Sequence, residues 1–310
     1  MTGAFEEVAD IRFVDTHCPI CGDGVDAREL YPANLQRRDL TPWTFSARRR
    51  PDRVHYRVVV CVGCGLARAD PVVETAALMS LYEASHFSYA AEVADLTATY
   101  GAAFARVMRA SGRINRLLEV GCGNGFFLKA ALRMGVAEVY GVEASREAAG
   151  LADPDVKDKI FASPFTGEMF QHDTFDMVCL FQVLDHLPAP AETLRGCFAV
   201  LRPGGVVLLF HHNLNAVSAR VLGERSPIVD VEHTFLFTPK TTRNMLETVG
   251  FRTVSVRTAV NRHSVGYLVS LLPSGTVASV VSRLVSAMRL GGVSLWLPIG
   301  NIVATGVKPS

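Results

Sequence analysis

From residue 116 onward, short apolar runs of β type alternate with stretches of helical period. The runs are RLLEVG (116–121), EVYGVEA (138–144), FDMVCLF (175–181) and GVVLLFH (205–211). Their near-continuous apolar character predicts strands buried on both faces, as in a parallel sheet covered by helices. FRTVSVRTAV (251–260) and NIVATGVKP (301–309) alternate in polarity and predict two more strands. Between them lies an insertion over about 261–298. Its segment 276–290 carries Val277, Val280, Val281, Leu284, Val285 and Met288 on one stripe, the spacing of an amphipathic helix. Residues 81–115 repeat Ala, Leu and Met at three and four and predict a helical linker. Residues 1–80 are rich in turn formers, cysteine and arginine. The predicted organisation is a small module (1–80), the linker (81–115) and an α/β domain (116–310).

Composition sharpens this picture in three places. At 310 residues the chain is long enough for a large domain and a small one. A net charge of +1 points to neither a nucleic-acid nor an anionic-membrane partner. The opening stretch carries Glu6, Glu7 and Asp10 without an apolar run, so no secretory signal is expected. The most apolar stretch, Val265 to Val285, is broken by Pro273, Gly275 and Arg283, so no membrane span is expected and the expected location is cytoplasmic.

That location matters for the cysteines. Cys18 and Cys21 form one C-x-x-C pair and Cys61 and Cys64 another; Cys122, Cys179 and Cys197 stand singly. In a reducing compartment paired C-x-x-C turns argue for metal before disulfide. Four thiolates make a closed tetrahedral Zn2+ site, hence a structural one, and the 39 residues between the knuckles call for a hairpin insertion. His17 and His55 read as surface histidines rather than replacement ligands.

The strongest chemical signal is Leu117-Leu118-Glu119-Val120-Gly121-Cys122-Gly123-Asn124-Gly125-Phe126. A buried strand enters a glycine turn that opens a helix, so backbone can approach a ligand and free N–H groups point at it. The spacing is G-x-G-x-G, and Phe126 stands where a dinucleotide fingerprint has its third glycine. Glu143 ends the next strand, 18 residues after Gly125, where a carboxylate can accept both hydroxyls of a ribose.

On these residues the chain resembles the class I S-adenosylmethionine-dependent methyltransferases. E-V-G-C-G-N-G is similar to their first motif and Val142-Glu143-Ala144 to their ribose-binding acid. Phe175-Asp176-Met177-Val178 with Val183-Leu184-Asp185-His186-Leu187 resembles their fourth-strand motif, and Leu201-Arg202-Pro203-Gly204-Gly205 the turn before their fifth strand. The resemblance implies a Rossmann-like, seven-stranded, mostly parallel sheet whose last strand is antiparallel. It implies S-adenosylmethionine as cofactor, held by Glu119, Gly121, Cys122, Gly123, Gly125, Glu143 and Gln182. No adenine contact is assignable within Ile160–Phe165.

The N-terminal module carries a resemblance of its own. C-P-I-C-G (18–22), Tyr56 to Leu66, Asp70-Pro71 and Leu81-Tyr82 are similar to the zinc-ribbon-like N-terminal region of bacterial methyltransferases of sugars and glycans, more narrowly those of mycofactocin oligosaccharides. The chain as given shows no counterpart of the long C-terminal domain of the sugar C-methyltransferases, which argues against that branch. The implied acceptor is a hydroxyl of a sugar, oligosaccharide or related small molecule.

An aligned hydroxyl acceptor needs a base, and histidine suits neutral pH. His186 follows the fourth strand and His211 and His212 the fifth, where ligands of open α/β sheets bind. His233 lies in Glu232-His233-Thr234-Phe235-Leu236-Phe237, which resembles the family's substrate-side loop. The expected order as base is His186, His212, His233, His211, with Asp185 an orienting group or helix cap. The insertion is expected to form part of an acceptor lid. Two alternatives stay open. Arg48-Arg49-Arg50-Pro51-Asp52-Arg53 with a four-cysteine finger would suit a ribosomal-RNA methyltransferase, although the chain lacks a broad basic surface. A non-catalytic cofactor-binding interaction protein is the other. Nothing in the sequence reports oligomeric state.

Overall fold

A computed structural model describes residues 11–45, 52–85, 90–271 and 275–310, with only the backbone of 276–278. Its centre is a seven-stranded sheet. In chain order the strands are β1 (Arg116–Val120), β2 (Glu138–Glu143), β3 (Ile160–Ala162), β4 (Phe175–Phe181), β5 (Leu201–His212), β6 (Arg252–Thr258) and β7 (Asn301–Val307). They lie in the order β6-β7-β5-β4-β1-β2-β3, with β1 to β5 parallel and β7 antiparallel to both neighbours. This is the expected Rossmann-like α/β fold with its reversed last strand.

β4 shows why the sheet is buried on both faces: all seven of its residues are buried. Phe175, Val178 and Leu180 pack on one side with Leu194, Val200, Met245 and Leu246 of the helices Pro190–Val200 and Pro239–Val249. Met177, Cys179 and Phe181 pack on the other with Tyr100, Phe104, Phe127 and Leu128. Asp176 sits at the opposite end from the ligand side. Its Oδ2 accepts the N–H groups of Asn115 (2.7 Å) and Arg116 (2.8 Å), pinning the start of β1.

Three helices place residues around the ligand side: α1 (Thr75–Glu83), α2 (Val93–Ser111) and α3 (Phe126–Arg133). α2 falls inside the predicted linker, but it is no spacer. Phe104 is fully buried, and Tyr100 stacks on Phe181 with ring centroids 4.4 Å apart. A long amphipathic helix with no partner in its own neighbourhood reads as a connector; here its partner is the sheet itself.

The N-terminal segment is likewise less separate than its composition suggests. Strands Ala27–Tyr31, Val58–Cys61 and Ala67–Ala69 form an antiparallel sheet; the gap between the knuckles is filled by the single strand Ala27–Tyr31 and the connection 32–57 rather than by the expected hairpin. The fourth strand, Phe235–Leu236, comes from the α/β domain and pairs with Arg68 and Ala67. The small apolar cluster of Phe45, Tyr56, Val72, Leu78 and Leu81 also takes in Val231. His55 corrects the expectation of a surface residue. It is 2% exposed, with Nδ1 bonded to the Tyr56 carbonyl (2.8 Å) and Nε2 3.3 Å from Glu224. His17 is exposed beside Asp23.

The insertion 261–298 is a two-stranded ribbon, Asn261–Ser264 with Ser294–Leu297, enclosing the helices Val265–Ser270 and Thr276–Ala287. Of the predicted stripe, Val280, Leu284 and Met288 are exposed while Val281 and Val285 are half-buried; the side chain of Val277 is outside the described residues. Among the described residues no helix is long and apolar enough to cross a membrane.

Candidate active site

A cavity of about 630 Å3 opens beyond the carboxyl ends of β1, β2, β4 and β5. That is the side where open parallel sheets bind ligands.

One end of the cavity is built from the glycine loop. Gly121, Gly123 and Gly125 all have positive φ (72°, 55° and 72°). A Cβ on Gly121 would sit 2.3 Å from Val183 Cγ2, so this turn admits no side chain. A Cβ on Gly125 would sit 2.8 Å from Ile160 Cδ1, so this glycine serves the packing of α3 against the sheet edge. Gly121 and Gly123 line the cavity; Gly125 and Cys122 do not. Cys122 is buried with Sγ under Gly141, where a Cβ would meet it at 2.5 Å. Of the glycine-loop residues expected at the cofactor, Gly125 and Cys122 thus stand behind the cavity wall, and chain packing accounts for both.

Glu143 stands across the loop. Its Oε2 accepts the Gly123 N–H (2.7 Å) and its Oε1 the Ser145 N–H (2.8 Å), which locks the carboxylate to the cavity wall. Glu119 is 2% exposed, and its Oε2 is buried without a hydrogen-bond partner. Burial, and then the Glu143 carboxylate, push its carboxyl well above the usual range. An unmet buried acceptor costs about 1–3 kcal/mol, so this one is poised for a donor arriving with a ligand. Gln182 lines the same wall at the end of β4. It adopts φ 58°, rare for a residue with a Cβ, and its N–H donates to the Phe210 carbonyl at 2.6 Å. Ser163, Pro164, Phe165, Thr166 and Glu168 close this end, the region where the sequence offered no choice.

The other end is a histidine cluster around one acid. Asp185 is fully buried. Its Oδ2 accepts from the His212 backbone N–H (3.1 Å) and bonds the His212 ring at Nδ1 (2.6 Å). Its Oδ1 lies 3.8 Å from His186 Nε2. The His233 ring sits between the other two, with centroids 4.6 Å from His186 and 4.5 Å from His212. Burial lowers the pKa of both His186 and His233, while Asp185 is held well below the usual carboxylate range by the histidines despite its burial. His186, His212 and His233 all line the cavity. His211 does not, against its place among the expected bases. It is fully buried, bonded at Nδ1 to the His212 carbonyl (3.0 Å) and at Nε2 to Thr242 (3.3 Å). In a period-two strand its neighbour His212 takes the ligand side.

Sequence reasoning missed Phe45, Met79, Tyr82, Tyr100, Asp230, Glu232 and Tyr267, which also line the cavity. Tyr267 is the residue by which the insertion reaches the wall. Only tertiary assembly brings these positions together; Tyr82 and Glu232 fall in stretches that carry the resemblance, and no local motif marks the other five.

The four paired cysteines converge on a second centre. One ligand atom from each lies within 4.8 Å of the others, and Cys18 Sγ is 3.5 Å from Cys64 Sγ. The knuckles are superimposable in design: Gly22 N–H bonds the Cys18 carbonyl and Gly65 N–H the Cys61 carbonyl, each at 2.9 Å with φ near 80°. Four thiolates at about 2.3 Å from one Zn2+ would be roughly 3.8 Å apart, so the set fits that ion.

A family model described as a methyltransferase domain matches residues 88–256, more than half of the chain. This chain belongs to that methyltransferase domain family. The match begins at the foot of α2, in accord with the packing of that helix into the sheet. The ubiquinone biosynthesis O-methyltransferase of Ralstonia nicotianae is 31% identical over 118 residues, covering 35% of this chain and 48% of the relative. That of Neisseria meningitidis serogroup C is 29% identical over 140 residues, covering 43% and 56%. The chain thus spans about half the length of the curated relatives it matches. An S-adenosylmethionine-dependent methyltransferase of Archaeoglobus fulgidus is similar in structure, with a TM-score of 0.49 at 18% identity, covering 72% of this chain and 100% of that one.

Proposed function

We propose that this methyltransferase moves a methyl group from S-adenosylmethionine to a hydroxyl of a sugar, oligosaccharide or related small molecule. The observation that carries the reading is a single cavity with a carboxylate and glycine cradle at one end and an acid–histidine cluster at the other. The residues at the first end fit the cofactor. Glu119 Oε2 suits an α-ammonium group, Glu143 suits ribose hydroxyls, and Gly121 and Gly123 leave backbone room between them. Gln182 and the 163–168 segment suit the base and its linkage. When bound, the cofactor supplies an electrophilic methyl carbon.

His212 serves as base in this reading. Asp185 fixes Nδ1 as the protonated nitrogen, leaving Nε2 for proton exchange with the acceptor. His186 and His233 flank the acceptor oxygen. Asp230 and Glu232 offer carboxylates to hydroxyl donors, and Phe45, Met79 and Tyr82 offer apolar surface to a ring face. A phenolic hydroxyl is the second reading, favoured by the relatives named for O-methylation in ubiquinone biosynthesis. The RNA reading rests on Arg48-Arg49-Arg50-Pro51-Asp52-Arg53 with the four-cysteine finger, and residues 48–51 of that run are outside the described residues.

In the same reading Cys18, Cys21, Cys61 and Cys64 hold a structural Zn2+ that staples residues 1–80. Through Phe235–Leu236 this staple sets the position of the neighbouring His233.

Methyl-labelled cofactor offered to neutral oligosaccharides, catechols and ribosomal RNA tests the reading. Label is expected in the oligosaccharides and is expected to fall sharply in His212→Ala, with binding of the demethylated cofactor intact. Label confined to RNA, or no change in His212→Ala, overturns it.

A further inference from the structure

The acid–histidine cluster contains more unmet ligating capacity than a base and its orienting acid need. Asp185 spends one carboxylate oxygen on His212, through both ring and backbone. Its other oxygen, Oδ1, is buried and has no hydrogen-bond partner. His233, 8% exposed, holds Nδ1 buried and equally unpartnered. His186 turns Nε2 toward the same Oδ1 at 3.8 Å. One ligating atom each from Asp185, His186 and His233 lie within 4.8 Å of one another. Buried polar atoms are almost always satisfied, so two orphans within one cluster on a cavity wall leave room for a partner that a ligand would supply.

We propose that Asp185, His186 and His233 form a second metal site, which binds a divalent first-row transition ion at the acceptor end of the cavity. Two imidazoles and one carboxylate suit such ions, whereas the four-cysteine centre is of soft thiolate character. Three protein ligands leave coordination positions open, and His186 and His233 face the cavity, so the open side is directed to the acceptor. The ligand atoms are farther apart than the roughly 3 Å between adjacent ligands of a bound ion, so the rings close inward on binding. An ion here would draw the acceptor hydroxyl and acidify it. His212 then has two duties: it presents Asp185 Oδ1 to the ion through the bond to Oδ2, and it stands beside the acidified oxygen. The ligand class selected is an acceptor with a hydroxyl and a neighbouring oxygen, able to chelate. The chelating role rests on the methyl-transfer reading above; the ion site itself does not.

The test uses full-length protein with its cysteine centre zinc-loaded. Mn2+ is the probe, because as a hard ion it takes a carboxylate site in preference to soft thiolates and so leaves the zinc-loaded cysteine centre alone. Free Mn2+ is followed by its electron paramagnetic resonance signal. One Mn2+ per chain is expected, with affinity at least ten-fold weaker in His233→Ala and in His186→Ala, and unchanged in His172→Ala at an exposed position. Calorimetry with the demethylated cofactor confirms that each variant is folded. No Mn2+ bound at millimolar concentration, or binding that survives both ligand substitutions, overturns the site. Cofactor heat without Mn2+ binding removes the ion and leaves the methyltransferase reading. Mn2+ binding without methyl transfer to any acceptor does the reverse.

Discussion

The two ends of the cavity are built on different plans. At the glycine-loop end, the proposed cofactor side, Glu119, Gly121 and Gly123 come from one strand-turn-helix, and Glu143 from the adjacent strand, bound back to that turn by the Gly123 N–H. At the histidine end, the proposed acceptor side, the wall is gathered from the whole chain. Tyr82 comes from α1, Tyr100 from α2, His186 from the loop after β4, and His212 from β5. His233 precedes a strand that completes the cysteine module's sheet. A local plan tolerates change elsewhere in the molecule but little within itself. An assembled plan transmits distant changes to the chemistry. Damage to one end, read at both, separates the two plans.

The largest effect is expected from Asp185→Asn. The amide cannot accept from His212 as a charged partner, and the buried histidines lose the carboxylate that holds them in place. General-base contributions are on the order of 100- to 10,000-fold, and turnover should fall within that range. Affinity for the demethylated cofactor should change less than about three-fold, under 1 kcal/mol. A comparable loss at both ends, seen by calorimetry, would show that the ends are not independent.

Gly121→Ala is the converse. The new Cβ meets Val183 Cγ2 at 2.3 Å and the residue sits at φ 72°. Left-handed strain of about 1–2 kcal/mol and overpacking of about 1–3 kcal/mol, relieved only by shifting the loop, predict roughly 30- to 5,000-fold weaker cofactor binding. Spectroscopy should show the N-terminal module unchanged.

These two substitutions also show what the sequence could express. Gly121 was legible because a positive φ at a tight contact is a demand on one residue type at one place. The strands were legible because continuous apolar runs such as 175–181 follow from burial on both faces. Asp185, His186, His212 and His233 were each visible as candidates, yet their mutual distances depend on β5 lying beside β4 and on Phe235 pairing with Arg68. Tyr100 gave no signal and Tyr82 only a motif without a role, since an aromatic on a helical stripe looks the same whether it faces core or cavity. His211 misled for the matching reason: its neighbour relation to His212 is plain in sequence, but which of the two points outward is decided by register against β7.

Removing the staple tests transmission from the module. Cys61→Ser breaks the four-thiolate set on strand Val58–Cys61, whose neighbour Ala67–Ala69 pairs with Phe235–Leu236. If zinc fixes that sheet, His233 loses its seat. The expected result is about a ten-fold rise in acceptor KM, near 1.4 kcal/mol, with zinc content near zero. Cofactor affinity is expected to hold. A purely cofactor-side loss would contradict the assembled plan.

The smallest effect, and the most specific, concerns Glu119. Its folded pKa lies well above the ordinary value of 4.5, so the folded chain keeps a proton that the unfolded chain has released. Stability from this group is therefore fully present below about pH 4.5 and is lost as pH rises toward the folded pKa. Glu119→Gln removes that slope. The cofactor-free variant should melt higher than the parent at pH 8, with the difference shrinking as pH falls toward 5. Binding should show the opposite preference. The amide cannot ionise against a cationic ligand group, so cofactor affinity should drop about ten-fold. Proton release on binding, read by calorimetry in two buffers, should disappear with it. A variant that binds as tightly as the parent, with the same proton release, would mean that Glu119 is buried for the sheet's sake and that the cradle's charge lies at Glu143 alone.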